Sequence, residues 1–243
     1  MEKNDIFKNL EDDVNQSPLS DEVKSKMYQN IRKLKQEKIN LMITGATGSG
    51  KSSTINALSK SFIAKVGTGV EPETMELSSF RLSEDLRFWD TPGLGDGIEQ
   101  DKIHAKKIID LLYEDYEHEN YKYGFIDVSL AIIEGGIRDM GTFYKLLNDV
   151  IIPNFSNNRI IVAINQSDMA MKGRYWDYDK NEPEKELENF LENKAISIQK
   201  RVKEATNVDI VKPIYYSAMY GYNIDILLEK IIECLPIEKR KLI

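Results

Sequence analysis

The sequence is poor in the residues that build staples and metal cages. It has one cysteine, Cys234, so no disulfide framework is available. Cys234 lies in an apolar helical pattern with Ile231, Ile232 and Leu235, which reads as a buried thiol in a reducing compartment. Its two histidines, His104 and His118, sit among Lys and Glu at no metal-ligand spacing. They read as solvated, and nothing suggests zinc. No run of about 18 apolar residues occurs, which excludes a membrane-spanning helix. Met1-Glu2-Lys3-Asn4-Asp5 lacks the apolar run of a signal peptide. Glu2 stands where N-myristoylation needs glycine, and Arg240-Lys241-Leu242-Ile243 offers no cysteine for prenylation. The expectation is a cytoplasmic protein. Positive charge is also short: 33 Lys and Arg against 40 Asp and Glu leave a formal charge of −7. That argues against non-specific nucleic-acid binding, and DNA is not an expected partner. There is no repeat, low-complexity tract or Gly/Ser linker, which excludes collagen-like, mucin-like and disordered chains.

What is present is globular: 243 residues, 41% apolar and 30% charged. The length is ample for a core. After a polar start, Ser20 is placed to cap a helix carrying Val23, Met27, Ile31 and Leu34 at helical spacing. Residues 1–38 are therefore expected to be a polar segment plus a helix packed on a main domain of residues 39–243. Strands are expected at Ile39–Thr44, Met75–Leu82, Leu86–Asp90, Val128–Ile133, Ile160–Asn165 and Val211–Ser217. Helices are expected at Lys51–Ser61, Asp101–Glu119, Thr142–Val150, Glu184–Ala205 and Ile224–Leu235. Alternation of this kind gives an α/β fold, a mostly parallel six-stranded sheet covered on both faces. Only Ser83-Glu84-Asp85 separates Met75–Leu82 from Leu86–Asp90, so one antiparallel edge strand joined by a hairpin is expected.

Residues 45–52 read Gly-Ala-Thr-Gly-Ser-Gly-Lys-Ser, the complete G-x-x-x-x-G-K-[ST] pattern between a strand and a helix. A phosphate chain needs several convergent N–H donors, and a Gly-rich turn lets backbone approach that closely. The following helix points its positive end at the same phosphates. Gly45, Thr47, Gly48, Ser49, Gly50, Lys51, Ser52 and Ser53 are thus candidate nucleotide ligands. Lys51 is placed for the β- and γ-phosphates and Ser52 for Mg²⁺. Asp90-Thr91-Pro92-Gly93 follows the hairpin strand. Asp90 is placed to hold Mg²⁺ through water, and the Gly93 N–H to meet the γ-phosphate. Asn165-Gln166-Ser167-Asp168 follows a later strand. The Asp168 carboxylate can accept from both N1–H and the 2-amino group of guanine, a donor pair that adenine lacks. Ser217-Ala218 ends another strand, where small residues let a backbone N–H reach the guanine O6.

In this order the motifs resemble the Era/TrmE-like branch of translation-factor-type P-loop GTPases, over roughly residues 39–235. Gly50-Lys51-Ser52-Ser53-Thr54-Ile55-Asn56-Ala57-Leu58 is especially similar. The helix Asp21–Lys38, Gly-Val-Glu-Pro-Glu-Thr at 69–74 and Gly-Ile-Arg-Asp-Met-Gly at 136–141 resemble a bacterial "GTPase family" group sometimes labelled ribosome-binding-like. The resemblance implies a three-layer, Ras-like GTPase domain that binds GTP and GDP with Mg²⁺ and hydrolyses GTP as a conformational switch. It implies that Thr74 binds Mg²⁺ through its hydroxyl and the attacking water through its carbonyl, on a loop (Lys65–Glu73) that orders around the γ-phosphate. Lys51, Thr74 and Gly93 are then the catalytic candidates. Ser52, Thr74 and Asp90 are the metal candidates. Asn165, Gln166, Asp168, Ser217 and Ala218 hold the base.

Three positions depart from relatives. Leu94 stands where Ras-like relatives carry a water-orienting glutamine, Gln166 replaces the guanine-box lysine, and Gly48 replaces the asparagine of potassium-using relatives. Leu94 keeps open a second reading, a nucleotide-gated interaction module with negligible hydrolysis. An ATPase or kinase is disfavoured by Asn165 and Asp168. Arg138 reads as solvated or paired with Asp139, with an arginine reaching a second copy's phosphates as the alternative. Arg174-Tyr175-Trp176-Asp177-Tyr178 reads as a cap on the core, or else as a partner patch. Arg32-Lys33-Lys35 and Lys239-Arg240-Lys241 read as solvated faces. Expected partners are GTP and GDP, with a GTP-dependent homodimer or a protein effector. A ribosome or membrane surface is only weakly indicated.

Overall fold

The computed structural model describes residues 14–15, 20–34, 39–66, 71–73, 79–81, 86–118, 120–138, 140–235 and 239–242. Among the described residues the central sheet has seven strands. They are β1 (Ile39–Gly45), β2 (Glu71–Glu73), β3 (Ser79–Arg81), β4 (Leu86–Asp90), β7 (Val128–Glu134), β8 (Ile160–Asn165) and β11 (Ile214–Tyr215), in the order β11-β8-β7-β1-β4-β3-β2. β11, β8, β7, β1 and β4 run parallel, β3 is antiparallel to β4, and β2 is antiparallel to β3. The expected hairpin is present, with Ser79 opposite Trp89 and Arg81 opposite Arg87. The seventh strand, β2, falls in what the sequence assigned to a loop.

Residues of β1 and β7 alternate between two cores, as the period of two in a strand requires. Leu41, Ile43, Val128, Leu130 and Ile132 face one side. There they meet helices α1 (Asp21–Leu34), α2 (Lys51–Val66) and α6 (Ile224–Glu233) through Met27, Ile55, Leu58 and Leu227. Met42, Ala131 and Ile133 face the other side. There they meet α3 (Ile98–Tyr113), α4 (Gly141–Lys145, widening into a π turn over Leu146–Ile151) and α5 (Lys185–Thr206). A sheet with both faces buried explains why its strands read as continuous apolar runs.

The Val23 N–H donates to the Ser20 hydroxyl at 3.4 Å, the N-cap that the sequence indicated. Cys234 is half-buried, packed against the first core. Among the described residues no helix is long and apolar enough to cross a membrane.

One helix expectation is wrong at both ends. The segment expected as helix Asp101–Glu119 starts at Ile98 and stops at Tyr113. The chain then turns into strand β5 (Asp115–His118), paired antiparallel with β6 (Tyr121–Gly124). Tyr116 stacks on the directly opposite Tyr123 with ring centroids 5.8 Å apart, and Asn120 takes φ +66° between the strands. Cross-strand aromatic pairs stabilise such a hairpin. Strands β9 (Trp176–Asp177) and β10 (Glu182–Pro183) form a small ribbon. Strand β12 (Lys241–Leu242) pairs with β6, making a second, three-stranded sheet.

Candidate nucleotide site

The candidate site lies at the carboxyl end of the parallel strands, where β1 runs through Gly45–Gly50 into α2. Gly50 has φ +86°, and a Cβ there would stand 2.3 Å from Asn165 Nδ2. Only glycine fits both the angle and the space. The Lys51 ammonium lies back over the turn and donates to the Ala46 carbonyl at 3.2 Å. Burial lowers its pKa, while Asp90 and Asp96 act the other way.

Asp90 ends β4 beside the first turn of α2. Ser52 Oγ donates to Asp90 Oδ2 at 3.1 Å. Among the described residues Asp90 Oδ1 is buried with no hydrogen-bond partner. Burial holds this carboxyl above its ordinary range, although Ser52 and Lys51 draw it down. A hydroxyl and an orphaned carboxylate oxygen side by side fit the donor set that Mg²⁺ takes, together with water and phosphate oxygens.

The residues after Asp90 fold down onto the phosphate-type loop. The Thr47 N–H donates to the Leu94 carbonyl at 2.8 Å, and the Thr47 hydroxyl to Asp96 Oδ2 at 3.0 Å. A Cβ on Gly93 would lie 2.6 Å from Thr47 N, so the glycine is what lets the two segments touch. Leu94 itself is 1% exposed and belongs to the core with Met42 and Phe143. Helix α3 grips this segment from the far side. Asp101 Oδ1 accepts from the N–H groups of Gly95 and Asp96 at 2.7 and 3.2 Å. His104 Nδ1 lies 2.6 Å from the Gly93 carbonyl oxygen.

Asn165 joins the third segment to the first. Its Nδ2 donates to the Ser49 carbonyl at 3.0 Å, and its Oδ1 accepts from the Ala218 N–H at 3.1 Å. The Ala218 amide, one of the backbone N–H groups at the Ser217-Ala218 turn, is thus held by Asn165. Gln166, in the left-handed conformation at φ +58°, reaches the Gly48 carbonyl with Nε2 at 2.8 Å. Asp168 is 5% exposed, and its Oδ1 accepts from the Ser217 hydroxyl at 2.6 Å.

The fold thus brings Gly45–Ser52, Asp90, Gly93, Asn165, Gln166, Asp168, Ser217 and Ala218 together at the carboxyl end of the sheet. Ser53 is exposed on α2. Thr74 lies outside the described residues, so its assignment rests on sequence alone. Arg138 is exposed. The aromatic cluster divides: Trp176 is buried against Tyr220 and Tyr222, while Tyr175 and Tyr178 are exposed. Sequence reasoning missed Asp96, Asp101 and Lys194, and it set His104 aside as solvated. The ammonium of Lys194 on α5 donates to the carbonyls of Glu134, Gly135 and Ile137 at 3.1, 2.7 and 2.9 Å. The three-residue spacing of Asp101 and His104 on α3, just after Gly93–Asp96, was the available signal.

The three-layer architecture and its strand–turn–helix phosphate loop define a P-loop GTPase fold. A family model described as 50S ribosome-binding GTPase matches residues 40–166, more than half of the chain, and the chain belongs to that family. Among solved structures it is similar to Toc33 from Arabidopsis thaliana in complex with Mg2+ and GMPPNP, at 15% identity and TM-score 0.54, over 94% of this chain and 97% of that one. A dimerization-deficient mutant of Toc33 gives 16% identity and TM-score 0.55 over the same shares. The G domain of the T. maritima FeoB iron transporter gives 17% identity and TM-score 0.47, over 82% of this chain and 99% of that one. At these identities the likeness is one of fold. No curated protein matches the chain.

Proposed function

We propose that the chain binds GTP and GDP with Mg²⁺ and hydrolyses GTP to GDP and phosphate, acting as a conformational switch of the Era/TrmE-like kind. One observation carries the reading. The Asn165 side chain touches both the phosphate loop, at Ser49 O, and the Ser217-Ala218 turn, at Ala218 N, so phosphate-binding and guanine-selecting residues share one cleft.

In this reading the P-loop amides and Lys51 neutralise the phosphate chain, and Ser52 and Asp90 would hold the metal, with Thr74 the remaining metal candidate. The cation would supply further charge neutralisation to the phosphate chain. Asp168, aimed by the Ser217 hydroxyl, accepts from guanine N1–H and the 2-amino group. Gln166 covers the base with its aliphatic part. Gly93 presents its N–H to the third phosphate. Catalysis is positioning and electrostatics without a covalent intermediate. Without a water-orienting glutamine the isolated chain turns over slowly, on the order of 10⁻⁴ to 10⁻² per second.

The burial of Leu94 favours the second reading, a nucleotide-gated interaction module, because that side chain is committed to the core and away from any water. Self-association is the partner reading that fits best. Arg138 is exposed beyond β7, and Toc33, a protein of this fold, has a dimerization-deficient mutant. The cytoplasmic location and a ribosomal partner remain part of this proposal, the latter on the family's description alone.

The test is phosphate release with Mg²⁺ and GTP, against ATP, across a wide range of protein concentrations. A GTP-only rate per molecule that climbs with concentration supports a self-activated GTPase. A low, flat rate with tight GTP binding supports the gated module. Equal rates with ATP overturn the guanine assignment.

A further inference from the structure

The peptide joining Gly93 to Leu94 is held at both ends. Its N–H faces the Gly45 carbonyl at 3.4 Å, and its carbonyl oxygen meets His104 Nδ1 at 2.6 Å. The other ring nitrogen of His104, Nε2, lies 3.0 Å from the side-chain nitrogen of Gln100 one helical turn back. A carbonyl can only accept and an amide nitrogen can only donate. Both partners are satisfied when the ring proton sits on Nδ1 and Nε2 accepts from Gln100. His104 is half-buried on the inner edge of α3, three residues after Asp101, which binds the next two N–H groups of the same segment. Two side chains of α3 therefore hold the backbone of Gly93, Gly95 and Asp96, while the same segment rests on Ala46 and Thr47 of the phosphate loop.

We propose that His104 is a positioning residue for the switch glycine: through Nδ1–H it fixes the Gly93 carbonyl to α3, so that the N–H which Gly93 offers to the third phosphate is pre-aimed and its displacement is passed to the helix. The inference rests on the nucleotide reading above. A glycine has the widest choice of backbone angles, so an unheld Gly93 loses the most entropy when a phosphate recruits it. Anchoring its carbonyl removes part of that cost before the ligand arrives. Because the bond acts on the residue that meets the third phosphate, it discriminates GTP from GDP rather than strengthening both. The neutral and the protonated ring both donate from Nδ1, so isosteric replacement is the sharper probe than pH.

The experiment compares wild type with His104→Ala, His104→Gln and His104→Asn. The asparagine amide nitrogen falls where Nδ1 lies and restores the donor, whereas the glutamine nitrogen falls near Nε2 and does not. Affinities for GDP and for a non-hydrolysable GTP analogue are measured with Mg²⁺, alongside single-turnover hydrolysis and the melting temperature. The expected result is a five- to tenfold loss, about one hydrogen bond, in the ratio of GTP-analogue to GDP affinity for His104→Ala and His104→Gln. GDP affinity and melting temperature stay near wild type, and His104→Asn recovers most of the ratio. Hydrolysis falls in parallel, and the affinity ratio remains readable where turnover is slow. Equal losses for both nucleotides, no loss in any variant, or no recovery with asparagine would overturn the proposal. If wild type binds guanine nucleotide and the variants match it, this inference alone fails. If wild type binds none, the nucleotide reading fails and takes the inference with it.

Discussion

Asp168 and Lys51 show how far single residues depend on their neighbours. Asp168 is nearly buried, and the Ser217 hydroxyl 2.6 Å away fixes which way its carboxylate faces. Replacing it by asparagine puts a donor where guanine also donates. Asp168→Asn is expected to weaken GTP at least about tenfold, one charge-assisted bond or more, and to improve xanthosine triphosphate. Competition titration checks this, and an unchanged GTP preference counts against the guanine box. Burial takes hydration from the Lys51 ammonium, and the charges of Asp90 and Asp96 act against that loss. Lys51→Ala is expected to abolish nucleotide binding and turnover while the fold survives; calorimetry with GDP and a circular dichroism melt separate the two. Most of these residues were legible in the sequence, because a phosphate loop forces glycine and lysine into fixed places. His104 was not. Its partner is a backbone carbonyl 11 positions earlier, and a bond to backbone leaves no trace in side-chain identity.

Among the elements, α5 does more than cover the sheet. Its Lys194 gathers three carbonyls at and just beyond the end of β7, and the Gly135 N–H in that bend donates to the Asn165 carbonyl at 2.6 Å. The helix thereby braces the strand end that bears Asn165. Burial, only partly opposed by Glu134, pushes the Lys194 pKa from 10.5 down to about 8. Between those two values the unfolded chain keeps a proton that the folded chain has released, so this lysine makes stability rise with pH over that window. Urea unfolding of wild type and Lys194→Met from about pH 7 to 10.5 tests it. The wild type should gain on the variant as pH rises above 8, and a flat or shrinking difference contradicts the burial argument. The periodicity that revealed α5 and the buried strands failed at α3. There the expected helix runs on to Glu119, and only pairing across the turn shows that Asp115–His118 is a strand.

At the scale of the whole molecule the two ends of the sheet are specialised. The carboxyl end carries the cleft, and the amino end carries a buried charge cluster closed by the C-terminal segment. Asp127 is 0% exposed. Its Oδ2 accepts from Lys239 Nζ at 2.6 Å and from the Asn40 N–H at 2.9 Å. Arg240 donates to the Leu112 carbonyl and lies over the Phe155 ring. The sequence reading took Lys239-Arg240-Lys241 for a solvated run, because nothing near it in the chain names a buried carboxylate 112 residues away. Lys239→Met takes the bonded ammonium from a buried carboxylate and leaves it the Asn40 N–H and the more distant charge of Arg159, at an expected cost of up to about 3–5 kcal/mol. Burial already raises the Asp127 pKa and Lys239 opposes that rise. The deficit should therefore be full near neutral pH and shrink as acid returns a proton to the carboxyl, which denaturant unfolding at several pH values will show. Across the sheet, Asn165 holds Ser49 and Ala218 with the two ends of one amide. Under the proposed function, base and phosphate would then be gripped by one frame, and a partner that pries at either rim is expected to loosen both.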